Sequence, residues 1–181
     1  MVDILGRKNV ATMAEVGYSI ETIYHKYHKN VYNYIAFRIN NHHDAEELAS
    51  DVFVKAIMGW KGYDHSFPME GWLIGIAKNV VADYLRKTLR KKILPIDSIM
   101  AVISTERQPE EVVVINEESK KLMSAMVKLR DKERQILSMK FATDLKHSEI
   151  AAILKISESH VGVAAHRAIN KLKKLMEVDA I

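Results

Sequence analysis

His147-Ser148-Glu149-Ile150-Ala151-Ala152-Ile153-Leu154-Lys155-Ile156-Ser157-Glu158-Ser159-His160-Val161-Gly162-Val163-Ala164-Ala165-His166 is the stretch that decides the fold. Ala151 supplies the small residue needed where two short helices cross closely. Ile150, Leu154, Ile156 and Val161 fall where apolar side chains hold such a pair at a fixed angle, and Ser157 can cap the second helix. This is the helix-turn-helix pattern, whose second helix is offered to the DNA major groove. The spacing predicts a helix over about 147–154 and a longer one from about Glu158 to Met176.

The second helix has an uneven surface. Glu158, Ser159, His160, Gly162 and Val163 leave its first turns almost without positive charge, whereas His166, Arg167, Asn170, Lys171, Lys173 and Lys174 crowd its later turns. First-turn residues of such helices meet base edges and later cations meet phosphates. Gly162 lets the backbone approach closely. Val163 suits a thymine methyl and Glu158 a cytosine amine. A basic helix end is also favoured by the helix dipole alone.

Charge is distributed in blocks. The 181 residues carry a formal net charge of +4. Residues 1–92 have 13 basic and 10 acidic side chains, residues 93–118 have 1 and 6, and residues 119–181 have 13 and 7. Two basic blocks thus flank an acidic one, and basic blocks suit phosphate partners. The absence of cysteine removes disulfides, thiol chemistry and Cys-ligated metals from consideration. There is no run of about 18 apolar residues to span a bilayer. The start, Met1 to Lys8, lacks a basic segment followed by a long apolar core, so no secretory leader is expected and a cytoplasmic protein is.

Upstream, helical periodicity dominates. Ile20, Ile23, Tyr24, Tyr27, Val31, Tyr34 and Ile35 mark one helix. A second follows Asn40 and Asn41, with Asp44 read as its cap and Glu47 as the capping-box partner; its apolar face is Ala45, Leu48, Ala49, Val52, Phe53, Ala56, Ile57 and Trp60. A turn-rich stretch leads to Pro68, at the start of a third helix carrying Trp72, Leu73, Ile76, Ala77, Val80, Tyr84, Leu85 and Leu89 and ending in a basic run, Arg86 to Lys92. Residues 93–116 have no helical period and contain Pro95 and Pro109, reading as a linker. Helical signal returns with Leu122, Met126 and Leu129, and Asp131 is read as the cap of a helix with Ile136, Leu137 and Phe141. The expectation is an all-α protein with four parts: an N-terminal extension (1–17), a helical domain (18–92), an acidic linker (93–116) and a helix-turn-helix domain (117–181).

The first domain contains two specific motifs. Asp44-Ala45-Glu46-Glu47-Leu48-Ala49-Ser50-Asp51-Val52-Phe53-Val54-Lys55-Ala56 resembles the DAEDLxQEVFxKA signature of region 2.2 of bacterial sigma factors. Trp72 through Arg86 resembles the WLxxIARNxxxDxLR of regions 2.3 to 2.4, and Leu129 through Lys173 resembles region 4. No segment resembles region 1.1 or a full region 3, as in the extracytoplasmic-function (ECF) group.

The resemblance implies a promoter-specificity subunit of bacterial RNA polymerase, with core polymerase and promoter DNA as partners. It implies no cofactor, metal or small-molecule substrate, and no catalysis by the chain itself. It also admits an anti-sigma factor as a partner. Matched by position, Asp44, Glu47 and Asp51 would dock on the clamp helices of core polymerase; their offsets put them on one helix face. Lys78, Asn79, Arg86 and Lys87 would read the −10 element, with Lys78 standing where the family commonly has Arg. A lysine is a point charge, so it keeps a phosphate contact more easily than base reading. The turn Lys61–Phe67 matches the loop that captures a base turned out of the duplex: Tyr63, His65 and Phe67 could stack on it, while Asp64 or Ser66 could hydrogen-bond it. Glu158, Ser159, His160, Gly162, Val163, His166, Arg167 and Lys171 would meet the −35 element. The family commonly has Lys, Ser and Arg where Gly162, Val163 and Ala164 stand, which implies weaker or more apolar −35 reading. The 24-residue linker can span at most ~80 Å at ~3.3–3.6 Å per residue, enough for two domains on separate promoter elements.

Two other readings use the same residues. A stand-alone helix-turn-helix repressor explains the C-terminal domain without the N-terminal motifs. An HD-type metal-dependent phosphohydrolase would use His43 and Asp44 with His25, His28 and Asp83, but it has no place for the helix-turn-helix.

Overall fold

The computed structural model describes residues 19–93 and 117–178. The expected N-terminal extension and, Ile93 apart, the acidic linker lie outside the described residues. Among these there are seven α-helices and no β-strand: α1 (Ile20–Ile39), α2 (His42–Gly59), α3 (Met69–Ile93), α4 (Glu117–Val127), α5 (Asp131–Ala142), α6 (His147–Leu154) and α7 (Glu158–Val178).

The first three helices pack as a bundle around Val31, Tyr34, Ile35, Ala45, Ala49, Val52, Leu73, Ile74, Ala77 and Val81, all essentially inaccessible to water. Small residues at Ala45, Ala49 and Ala56 let α2 approach its neighbours closely. α1 stops at Asn40, which takes the left-handed conformation (φ 54°) and donates its N–H to the Ala36 carbonyl; asparagine is among the few residues that tolerate this geometry. The α2 cap is Asn41, whose side chain accepts from the Asp44 N–H at 3.2 Å. Asp44 therefore lies inside the helix. Asp131 is likewise the first residue of α5, while Glu133 reaches back to the Arg130 N–H at 2.9 Å. Ser157 caps α7 as expected, accepting from the His160 N–H at 3.3 Å.

In the C-terminal module, Ala125, Met126, Leu129, Leu137, Ala168 and Leu172 form a second apolar cluster joining α4, α5 and α7. α6 crosses α7 through Ile150, Ala151 and Val161, all buried. The turn between them passes through Lys155 in the left-handed conformation (φ 55°), with its N–H on the carbonyls of Ala151 and Ala152.

The two modules are packed on each other. One continuous core runs from Ile23, Trp60 and Val81 to Met139, Ala142, Ile150, Ile153 and Val161. The C-terminal half of α1, Tyr34-Ile35-Ala36-Phe37-Arg38-Ile39, is apolar around most of its circumference, as befits a helix covered on more than one side. Tyr24, Ile57, Leu89 and Phe141, counted among the apolar residues of their helices, are exposed.

Candidate nucleic-acid interface

A shaped loop joins α2 to α3. A 3₁₀ turn over Trp60–Gly62 leads to Tyr63, whose hydroxyl donates to the Phe67 carbonyl at 2.7 Å. Asp64 Oδ1 accepts from the Ser66 N–H at 2.9 Å, and the Phe67 N–H donates to the Asp64 carbonyl at 3.0 Å. That Ser66 bond holds the Asp64 carboxyl below its ordinary range. The Asp and Ser of the loop thus spend part of their hydrogen-bonding capacity on building it.

The aromatic residues of the loop differ in what they can offer. Tyr63 is buried, its ring 4.7 Å from that of Trp72 and 5.4 Å from that of Trp60. His65 is exposed and sits edge-on to Tyr63 and Trp60. Phe67 is half-buried and lies over Gly71, where an added Cβ would fall 2.5 Å from its Cε1. Gly71 has no role in the sequence reading, yet it sets where Phe67 rests.

The loop and α3 bound an open cleft of about 510 Å³ whose walls include Tyr63, Asp64, Phe67, Trp72, Lys78 and Asn79. Two of the four expected −10 residues therefore share a cleft with the expected base-capturing loop. Asn79 is exposed; Lys78 is half-buried and donates to the Ile153 carbonyl of α6 at 3.0 Å. Arg86 and Lys87 are exposed, two turns along from Asn79 on the same side of α3, and Arg86 pairs with Asp83 at 2.8 Å.

On α2, Glu47 and Asp51 are exposed and Asp44 is half-buried. Glu47 lies 3.6 Å from His43. Asp44 accepts from the Tyr84 hydroxyl and from Asn41. Val54 and Met58 continue this face as exposed apolar residues, a feature hidden in the sequence by the apolar residues around them. Donor atoms of His43, Asp44 and Glu47 lie within 4.8 Å of one another. The other members of the phosphohydrolase reading are engaged elsewhere: His25 with Glu21, His28 with Glu46, and Asp83 with Arg86.

On α7, Glu158, Ser159 and His160 are exposed, as are His166 and Arg167, while Gly162 and Ala164 are half-buried. Val163 is 50% exposed. Lys171 is tied to Glu133 of α5 at 2.8 Å, and this bond holds the Glu133 carboxyl below its ordinary range. Lys171 thus packs α7 onto α5, a role its place in the basic tail concealed.

The described residues are all helical and pair a helix-turn-helix with a bundle bearing a cleft, the architecture of a helix-turn-helix DNA-binding protein with a second helical module. Its sequence matches the model of Sigma-70 region 2 over residues 23–91 and that of Sigma-70, region 4 over residues 125–174. It is similar to RNA polymerase sigma factor YlaC of Bacillus subtilis, 31% identical over 87% of this chain and 92% of the relative. It is also similar to ECF RNA polymerase sigma factor SigM of the same organism, 30% identical over 87% of this chain and 94% of that one. Among solved structures, the sigma factor RpoE in complex with the anti-sigma factor NepR from Bartonella quintana shares the fold, with a TM-score of 0.69 and 19% identity over 88% of this chain and 97% of that one. CnrH in complex with the cytosolic domain of CnrY does so at a TM-score of 0.64 and 20% identity, over 88% of each chain. The chain belongs to the sigma-70 family, in its ECF group: it is a sigma factor, directing RNA polymerase to promoters. Among the described residues no helix is long and apolar enough to cross a membrane.

Proposed function

We propose that this sigma factor divides its work among three surfaces. Asp44, Glu47 and Asp51 on α2 dock on the clamp helices of core polymerase, with charge steering the encounter. The cleft between the Tyr63–Phe67 loop and α3 takes the −10 element: Lys78, Arg86 and Lys87 meet phosphates, and Asn79 offers a donor and an acceptor to a base edge. Phe67 and His65 stack on a base leaving the duplex, with Asp64 and Ser66 at its polar edge and Tyr63 supporting them from behind. Base–aromatic stacking is worth about 1–3 kcal/mol, enough to offset part of the cost of opening a pair. On α7, Glu158, Ser159, His160, Gly162 and Val163 read the −35 element, and His166 and Arg167 approach phosphates.

The observation that carries this reading is the shared cleft, where Lys78, Asn79, Phe67 and Asp64 line one opening. The chain performs no chemistry of its own, because nucleotide addition belongs to the polymerase; its place is the cytoplasm, where core enzyme is. The solved sigma factor RpoE is in complex with the anti-sigma factor NepR, which supports a partner of that kind here.

The test is reconstitution with core polymerase and selection of promoters from a random DNA library. Paired −10 and −35 elements should be enriched, and Asn79→Ala should relax preference in the −10 element alone. Tight duplex binding without core enzyme and no transcription with it would instead indicate a stand-alone repressor.

A further inference from the structure

We propose that Met58 on α2 is an oxidation site that governs how tightly this sigma factor holds core polymerase: a peroxide converts its exposed thioether to the sulfoxide, and the sulfoxide docks less well. This rests on the reading of α2 as the core-docking face given above. Asp44, Glu47, Asp51, Val54 and Met58 recur at alternating intervals of three and four residues, so they form one stripe along α2. The stripe is acidic over its first turns and apolar over its last, where Val54 is 53% and Met58 81% exposed. The acids steer the approach of a basic partner. Val54 and Met58 prolong the same stripe, so the partner that meets the acids covers them too. Methionine suits that place, because its unbranched, polarisable side chain adapts to the surface it meets.

The same exposure opens the sulfur to oxidants. Cysteine is absent from the chain. Of the other methionines among the described residues, Met69, Met126 and Met139 are buried, and Met123 and Met176 are half-buried. Met58 is therefore the described sulfur that a dissolved oxidant reaches first. The step is a two-electron oxygen transfer. The sulfur lone pair attacks one oxygen of hydrogen peroxide, an S–O bond forms and the O–O bond breaks. The proton on the transferred oxygen passes to the departing hydroxide, which leaves as water. The thioether is oxidised and the peroxide reduced. The product is polar and chiral. Its oxygen must keep water or find a donor in the interface, whereas the thioether can be buried dry. Losing the burial of a methionine side chain lowers affinity roughly tenfold or more. A methionine sulfoxide reductase returns the sulfur to the thioether with a dithiol as reductant, so the change is reversible. Once docked, Met58 is covered by core polymerase. Oxidant therefore acts on the free chain and spares the assembled holoenzyme.

The test treats the full chain with hydrogen peroxide, removes the oxidant with catalase, and then applies peptide mass spectrometry and titration with core polymerase. Met58 should take up one oxygen before any other described methionine. Core affinity should fall roughly tenfold or more, with the melting temperature of the chain little changed. Methionine sulfoxide reductases with a dithiol should restore it. Met58→Leu, whatever its own affinity for core, should keep that affinity through the treatment. Met58→Gln should start near the affinity of the oxidised wild type. Preassembled holoenzyme should protect Met58 from oxygen uptake. The proposal is overturned if treatment weakens Met58→Leu as much as wild type, or if the Met58 sulfoxide binds core as the thioether does. It is also overturned if the lost affinity follows a loss of folding, or if holoenzyme leaves Met58 as reactive as the free chain does. Asp51→Lys separates the two readings. When it weakens core binding and the Met58 sulfoxide does not, the docking face stands and the oxidation site falls. When neither matters, α2 is not the docking face and both fall.

Discussion

The Tyr84 hydroxyl of α3 donates to Asp44 Oδ2 on α2 at 2.5 Å, fixing one carboxylate of the acidic stripe against the bundle. Burial pushes the Tyr84 ionisation up to about 12, and the Asp44 carboxylate adds to the effect. Tyr84→Phe removes a bond to a charged group, and because Asp44 keeps access to water the loss should be about 1 kcal/mol, below the roughly 1.5–3 kcal/mol usual for such bonds. Urea unfolding measures it. The alkaline limb gives a second signature. The unfolded chain releases this proton near pH 10 and the native chain keeps it to about 12, so native stability falls as pH rises through that interval. Tyr84→Phe should lose this part of the slope, and an unchanged alkaline limb would show that Tyr84 does not titrate this way.

Gly71 carries a second expectation. A methyl group there would lie 2.5 Å from Phe67 Cε1 and 2.9 Å from Cζ, so the ring must move for it to fit. Gly71 lies in the first turn of α3, where Gly→Ala gains less than the roughly 0.5–1 kcal/mol of a helix interior; this offsets part of the displacement. Gly71→Ala should therefore leave the melting temperature within a few degrees of wild type while lowering promoter opening severalfold, read by permanganate reactivity of unpaired thymines. Wild-type opening with a displaced Phe67 would remove Phe67 from the base-capturing role.

What the sequence disclosed depended on how local each signal was. The α6 boundaries, Ser157 as a cap and the buried crossing at Ala151 all lie within a dozen residues, and each was legible. The start of α2 was misplaced because Asp44 and Glu47 copy a capping box, whereas the true cap, Asn41, uses Asp44 as its own third helical residue. Ile57, Leu89 and Phe141 sit at the margins of apolar stripes, where a 3.6-residue period cannot say which side neighbours cover. The contact between α1 and α5 was least legible. Arg38 and Asp131 are 93 residues apart, and a basic residue near a helix end reads as an ordinary dipole partner. The continuous apolar run around it, Tyr34 to Ile39, was the available clue. For the candidate site, the motif placed Lys78 and Asn79 on α3, but only the packing revealed that α6 faces them and that Lys171 is spent on Glu133.

Glu70 should make stability respond to acid. It accepts from Asn30 Nδ2 of α1 at 2.7 Å. Burial raises its pKa above the ordinary 4.5, the Asn30 bond and the Asp144 N–H oppose this, and the carboxylates of Asp144 and of Glu149 on α6 add to the rise. The native chain therefore binds this proton at a higher pH than the unfolded chain does. The contribution of the group is most favourable below 4.5 and is lost as pH rises through the native value. Glu70→Gln mimics the protonated form and keeps an acceptor for Asn30. It should be at least as stable as wild type near pH 7, with the difference closing as pH falls toward about 4. Denaturant midpoints at the two pH values check this; a variant less stable at neutral pH, by a margin that does not change with pH, would mean that the Asn30 bond outweighs the burial of charge.

The first turns of α7 are where a gain is expected. The resemblance puts cations at positions 162 and 164, and this chain has Gly162 and Ala164 there, with Val163 exposed between them. Space is available: a Cβ on Gly162 would lie 3.8 Å from His147 Nδ1, an ordinary van der Waals contact. Gly162→Lys with Ala164→Arg should therefore fold as the parent does and add two phosphate or base contacts. Each neutralised phosphate steepens the dependence of log K on log salt by about 0.9, so the double variant should bind −35 duplex more tightly at low salt with a slope steeper by about 2. Sequence preference should shift as well, because a cation beside Val163 favours the guanine edge over the thymine methyl. Anisotropy titrations across a salt series separate the two effects: a steeper slope with unchanged preference means phosphate contact alone, and no change in either removes positions 162 and 164 from the −35 surface.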